Sequence, residues 1–241
     1  MSPKPLGRKN YGSIPHLSGS RLGPRDYTCN PGQEQILLHR VRDAQDRIIV
    51  QEKLSGSNVV IARLQGQIIP LVRSGHRAES SPYEQHHWFA RWVHRDWERW
   101  LALLAEGESL CGEWLAQAHG TRYDLRDREP LVVFDLRTAQ GDRYLYQDLC
   151  DRLGSSVATA PLLACRDGAA VPLALALEQL GEYGHYNAQE PVEGVVYRCE
   201  RQGRVEFLAK YVYPGKQDGK YLPEVSGAAP VWNWRPETAS L

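Results

Sequence analysis

The stretch "QEKLSGSNVVI", Gln51 to Ile61, sets a lysine at the end of one apolar run, with a small polar turn and a second apolar run after it. An amine attacks an electrophile only when deprotonated, and desolvation or a neighbouring cation favours that form. Lys53 leaves a strand into Ser55-Gly56-Ser57. Gly56 would let backbone approach a ligand closely, and Asn58 could reach back with its amide. Taken alone, the stretch reads more plainly as a solvated lysine at a hairpin. Other stretches change the balance. "VRSGH" supplies Arg73 and His76. "CGEWL" puts Glu113 inside a strand-like run, and "LVVFDLR" does the same for Phe134 and Asp135. "VEGVVYR" places Glu193 at a strand start. "VEFLAKYV" places Lys210 in an apolar strand, where a lone ammonium is costly. Two lysines, two glutamates and an arginine on strands are what a nucleotide cleft with a divalent metal would use. Cations would hold phosphates, a carboxylate the metal, and an aromatic ring the base.

The elements that must position these residues follow from periodicity. Ile48–Val50, Val59–Leu64 and Gln67–Val72 are β-branched runs around two turns, and together they suggest an antiparallel meander. "SPYE" marks a helix start, with Ser81 as cap, Pro82 in the first turn and Glu84 completing a capping box. Trp88, Trp92, Val93, Trp97, Trp100, Leu101 and Leu104 recur at helical spacing up to Gly107, an aromatic stripe that reads as core packing. Strand-like runs return at Ser109–Leu115, Leu131–Leu136, Val192–Tyr197 and Val205–Val212, separated by helical patterns at Tyr144–Leu153 and Leu173–Tyr183. This is an α+β order. Residues 1–35 read as an irregular or extended arm. The last stretch reads as a tail that Trp232 and Trp234 pin to the domain.

Bulk properties narrow the class. A length of 241 residues allows a single large domain with a full core. The formal net charge of zero excludes a global basic field. The first fifty residues are nevertheless locally basic, with eight Lys or Arg against four Asp or Glu, so one face could meet a polyanion. The five cysteines form no CxxC pair and are odd in number, which fits neither a zinc knuckle nor a disulfide framework and suggests a reducing cytoplasm. The N-terminus has no apolar core of a signal peptide, and no apolar run approaches membrane-spanning length, so no membrane partner is expected.

The order Lys53-x-x-Gly56-x-Asn58, Arg73-Ser74-Gly75, Gly112-Glu113-Trp114, Phe134-Asp135, Glu193-Gly194-Val195-Val196 and Ala209-Lys210-Tyr211 resembles the covalent nucleotidyltransferases, the polynucleotide ligases and mRNA capping enzymes. Within them it is most similar to the RNA ligase 2-like branch, the RNA ligase domain family, whose leading Lys-Tyr-x-Ser segment is matched by "KNYGSIPHL". The resemblance covers roughly residues 9 to 213. It implies a nucleotidyltransferase (adenylation) domain of two antiparallel sheets flanked by helices, with the nucleotide cleft between them. That domain would span residues 1–220, the basic N-terminal arm included, before a tail at 221–241. It also implies an ATP-dependent RNA ligase, using Mg or Mn and acting in RNA repair. Lys53 would attack the α-phosphorus of ATP, expel pyrophosphate and carry AMP. Glu52 would help seat the adenine, Phe134 would stack on it, Glu113 would contact the ribose and Arg73 the sugar-phosphate side. Asn58 and Glu193 would organise the metal, and Lys210 would bind the α-phosphate. AMP would then pass to an RNA 5′-phosphate, and a 3′-hydroxyl would seal the break.

Departures from the family pattern set the alternatives. Ser55 stands where DNA ligases and capping enzymes usually have Asp, and Val212 stands where a second lysine often follows Lys210; Lys216 on the "YPGK" turn could replace it. About thirty residues follow Lys210, so no OB-fold is expected after it. A DNA-joining or capping-type nucleotidyltransferase, or a weak RNA-end-binding subunit that needs a partner protein, are the competing readings. "YPGKQDGKY" is not a P-loop, because its spacing is one short and Tyr221 replaces the metal-holding Ser or Thr. His86, His87 and His94 could form a metal face but read more plainly as surface or packing residues. For His76, His119 and Tyr123, substrate contact and structural roles are balanced.

Overall fold

The computed structural model describes residues 4–236. Residues 1–3 of the expected arm and 237–241 of the expected tail lie outside it. Strand β1 (Asp46–Lys53) is buried along most of its length rather than alternately, so it needs cover on both faces. It pairs antiparallel with β6 (Leu162–Asp167) on one side and β7 (Gly194–Arg201) on the other. With β8 (Arg204–Val212) they form a sheet of order β6-β1-β7-β8. Strands β2 (Ser57–Leu64), β3 (Gln67–Val72), β4 (Ser109–Trp114) and β5 (Leu131–Arg137) form a second antiparallel sheet of order β3-β2-β4-β5.

The meander expected from β1 to β3 is therefore wrong at its first step. Leu54, Ser55 and Gly56 carry β1 into the other sheet instead of turning it back. None of the three has the positive φ that a tight hairpin demands. Ser55 and Gly56 spend their N–H groups on the Tyr123 hydroxyl and the Glu113 carboxylate, each at 3.0 Å. True two-residue hairpins occur where Gln65-Gly66 joins β2 to β3 and Gln202-Gly203 joins β7 to β8, all four residues at positive φ.

Among the described residues six α-helices accompany the sheets: α1 (Pro31–Leu38), α2 (Glu84–Arg95), α3 (Trp97–Leu103), α4 (Tyr146–Leu153), α5 (Leu173–Leu180) and α6 (Pro223–Ser226). The expected helix from Ser81 to Gly107 is two helices, broken at Asp96, whose φ of −109° and ψ of 34° leave the helical region. Ser81 does not cap it, because the helix starts only at Glu84 with Tyr83 in the cap position; the Ser81 hydroxyl accepts from Tyr83 N at 3.3 Å and lies 2.6 Å from His86 Nδ1. The aromatic stripe is core: Trp88, Trp92 and Trp100 are buried with Phe89 and Trp114, while Trp97 faces solvent. Helix α5 stops at Gly181, at φ +65°, short of Tyr183. Strand β6 and helix α1 were not anticipated.

The two sheets own separate cores. One joins the second sheet to α2, α3 and α4, and the other joins the first sheet to α1 and α5. The C-terminal stretch lies on the former. Trp232 stacks 4.1 Å from Trp88, and Trp234 lies 5.7 Å from Trp114. Residues 4–30 form no helix or strand, as expected, whereas α1 takes the end of the expected arm, and the stretch is docked: Tyr11, His16 and Leu17 are buried. Among the described residues no helix is long and apolar enough to cross a membrane.

Candidate active site

Between the sheets lies a cavity of about 1110 Å³. Glu52, Lys53, Asn58, Arg73, Glu113, Phe134, Glu193 and Lys210 all line it. Strand register explains most of this convergence. Lys53 pairs with Gly194, which sets Glu193 beside it; Asn58 pairs with Glu113; Val196 pairs with Lys210.

Lys53 Nζ donates to Glu193 Oε2 in a tight ion pair. The lysine side chain is 22% exposed and the glutamate 6%. Burial pulls the Lys53 ammonium down, but Glu193 and Glu113 outweigh it and the net shift is upward. Glu113 accepts from Gly56 N at 3.0 Å. Burial pushes its carboxyl up to about 7, against the pull of Lys53. Gly56 lines the cavity, and packing alone already demands a glycine there, since a Cβ would lie 2.5 Å from Trp114 O.

The remaining expected residues are held from behind. Glu52 Oε2 accepts from His185 N at 2.7 Å, and its buried Oε1 has no partner. Exposed Arg73 donates to Ser13 Oγ at 3.2 Å and to Gly12 O at 3.4 Å. Phe134 packs edge-on against Tyr11, their rings 5.2 Å apart. Next to it, buried Asp135 accepts from Arg198, from Tyr11 Oη at 2.7 Å and from Arg143 at 2.9 Å. Burial opposes the Asp135 charge, but the arginines hold the carboxyl below its ordinary value. Lys210 is pulled down, chiefly by burial and by the like charge of Lys53.

Oxygen donors for a hard cation are present. Glu193 and Glu113 lie in the cavity, and the buried Asn58 Oδ1 has no partner. Among the described residues no group of three or more His, Cys, Asp or Glu could hold a metal. A hard cation of the Mg type takes one or two carboxylates and completes its shell with water and substrate phosphates. The histidines of α2 do not form a metal face. His86 sits between Ser57 and Ser81, His87 lies 2.6 Å from Ser81 O, and His94 faces Glu79. His76 and His119 line the cavity, whereas Tyr123 braces Ser55. Lys216 is spent on Pro191 O, and Lys220 pairs with Glu190.

Two cavity carboxylates escaped sequence reasoning, Asp26 from the N-terminal stretch and Asp218 from the "YPGKQDGKY" turn. Neither has a local spacing signal, because each meets the site only through the fold.

A family model described as RNA ligase matches residues 46–212. A search of curated proteins finds no match. Solved structures match in fold. An archaeal ATP-dependent RNA ligase (form 2) is 23% identical with a TM-score of 0.55, over 84% of this chain and 48% of that one. Naegleria gruberi RNA ligase with PPi is 16% identical with a TM-score of 0.54, over 91% and 63%. A mutant of that RNA ligase with AMP and Mn is 16% identical with a TM-score of 0.53, over 83% and 59%. The chain spans about half the length of the archaeal ligase it matches.

Proposed function

The chain belongs to the RNA ligase family, and from that footing we propose that it is an ATP-dependent RNA ligase working through a lysyl-AMP intermediate on Lys53. The observation that carries the reading is the Lys53–Glu193 pair in a cavity lined by Glu113, Arg73, Phe134 and Lys210.

Each side chain then has a task. The free amine of Lys53 attacks the α-phosphorus of ATP; a P–N bond forms, the bond to the pyrophosphate oxygen breaks, and the amine gives up a proton. Lys210 faces the α-phosphate and offsets the charge that develops on it. Arg73 serves the sugar-phosphate side, Glu113 the ribose, Phe134 the face of the adenine and Glu52 its edge. Glu193 and Asn58 would hold Mg or Mn, which when bound would draw Glu193's charge away from Lys53 and favour the free amine. AMP is next carried to an RNA 5′-phosphate, and attack by a 3′-hydroxyl expels it. RNA repair in the cytoplasm is the setting this chemistry suits.

The test is joining of RNA ends bearing 5′-phosphate and 3′-hydroxyl, with ATP and Mg or Mn. Sealed product from wild type and none from Lys53→Ala supports the reading. Preference for GTP or for DNA ends would instead favour a capping-type or DNA-joining enzyme. A second reading is a subunit that joins ends only with a partner protein. AMP transfer to Lys53 with no joining until a partner is added would select it.

A further inference from the structure

The N-terminal segment closes the free edge of β8. Lys210 N donates to Pro15 O at 2.9 Å, Leu17 N to Lys210 O at 2.8 Å, and Arg21 N to Val212 O at 2.9 Å. Val212 N in turn donates to Ser20 Oγ at 2.9 Å. A bare edge strand would leave these groups unpaired. The cover also brings a carboxylate. The chain bends at Gly23, whose N–H donates to Asp26 Oδ2 at 2.9 Å, and Asp26 Oδ1 ends 3.9 Å from Lys210 Nζ. Buried His16 stands behind it, with Nε2 3.3 Å from Asp26 Oδ2 and Nδ1 2.6 Å from Ser20 Oγ. Asp26 and Lys210 line the same cavity.

The charges around Lys210 are unbalanced without Asp26. Lys53 from β1 and Arg73 beyond β3 repel it, while Glu193 attracts it but is already paired with Lys53. Among the described residues, Asp26 is the carboxylate within ion-pair distance of Lys210. Burial works against the Asp26 charge, but the Gly23 N–H and Lys210 outweigh it, so the group is held below its ordinary value. We infer that Asp26 is a positioning residue for AMP transfer, holding the Lys210 ammonium charged and in place where the α-phosphate is met. The inference rests on the proposed role of Lys210.

The experiment is a double-mutant cycle on transfer of AMP to the protein, with rate constant and KM for ATP measured separately and thermal unfolding run alongside. Asp26→Asn should slow transfer about tenfold, mainly in the rate constant, as expected for loss of a partly buried charge partner. Asp26→Glu should recover part of the loss. In a Lys210→Ala background, Asp26→Asn should add nothing. Wild-type rate in Asp26→Asn overturns the inference while leaving the Lys210 reading intact. So do losses that multiply, or tighter ATP binding and faster transfer, which would make Asp26 a competitor of the phosphate. Undiminished transfer by Lys210→Ala alone would instead remove the premise. If Asp26→Asn does not fold, Asp26→Glu in both backgrounds completes the cycle.

Discussion

Lys53 rests as an ammonium against Glu193, whereas a nucleophile must be a free amine. On the proposed reading the site holds its nucleophile in a masked form, paired with Glu193 and facing the Glu113 carboxyl. Glu113 is the residue whose state is most exposed to pH. Its folded pKa, about 7, lies above its ordinary value, so the fold favours its neutral form. The cost of ionising it is absent below about pH 4.5, grows as pH rises towards 7 and is complete above. Glu113→Gln keeps the Gly56 hydrogen bond and carries no charge to desolvate. It should be more stable than wild type at pH 8, by about 2 kcal/mol, with the difference gone at pH 4.5. Urea unfolding at the two pH values checks this, and equal stability of the two proteins at pH 8 would contradict it. The same side chain shows why the site was readable at this scale. Glu113, Phe134 and Lys210 are polar or aromatic groups set in apolar strands, an anomaly visible without a structure, and the order of such anomalies along the chain carries the family resemblance. Asp26 and Asp218 lie in polar stretches where a carboxylate is unremarkable, so nothing marked them.

At the scale of elements, the site depends on where strands end. Gly194 opens β7 at φ +150°, where a Cβ would lie 1.9 Å from Tyr211 O. It is also the register partner of Lys53 and the neighbour of Glu193. Gly194→Ala should therefore cost more than about 3 kcal/mol and part the Lys53–Glu193 pair, seen as a lowered urea midpoint together with lost AMP transfer. A midpoint within error of wild type would refute the argument. Helices and buried strands were legible because their apolar periods are long. Other features were not, and helix α1, at the end of the stretch expected to be irregular, is the first of them. The step from β1 to β2 looks in sequence like a hairpin, whereas the strand pairing puts β1 and β2 in different sheets and Ser55 and Gly56 bond to Tyr123 and Glu113 instead of across a turn. Asp96 breaks the tryptophan helix without Gly or Pro. Strand β6 is a sheet edge, part exposed throughout, so "LLACRD" has no clean alternation to reveal it.

For the whole molecule, the two largest hydrophobic clusters each belong to one sheet, and the cavity lies between the sheets. The N-terminal stretch covers β8, and the C-terminal tryptophans cover α2. Zero net charge hides an uneven distribution. Arg42 is paired with Asp46 and Glu206, and Arg47 with Asp167, whereas exposed Arg25 and Arg77 line the cavity. RNA affinity should fall as salt rises, and Arg25→Ala or Arg77→Ala should each make the log–log slope shallower by about 0.7 if the residue meets a phosphate. Filter binding over a salt series measures this, and unchanged slopes would place the RNA elsewhere. The most direct measurement is to incubate the protein with ATP and Mg, digest it, and locate bound AMP by tandem mass spectrometry. AMP on the Lys53 peptide, absent from Lys53→Ala and displaced when pyrophosphate is added, is the predicted result. AMP on another residue, or none on folded protein shown to be free of AMP at the outset, would contradict it.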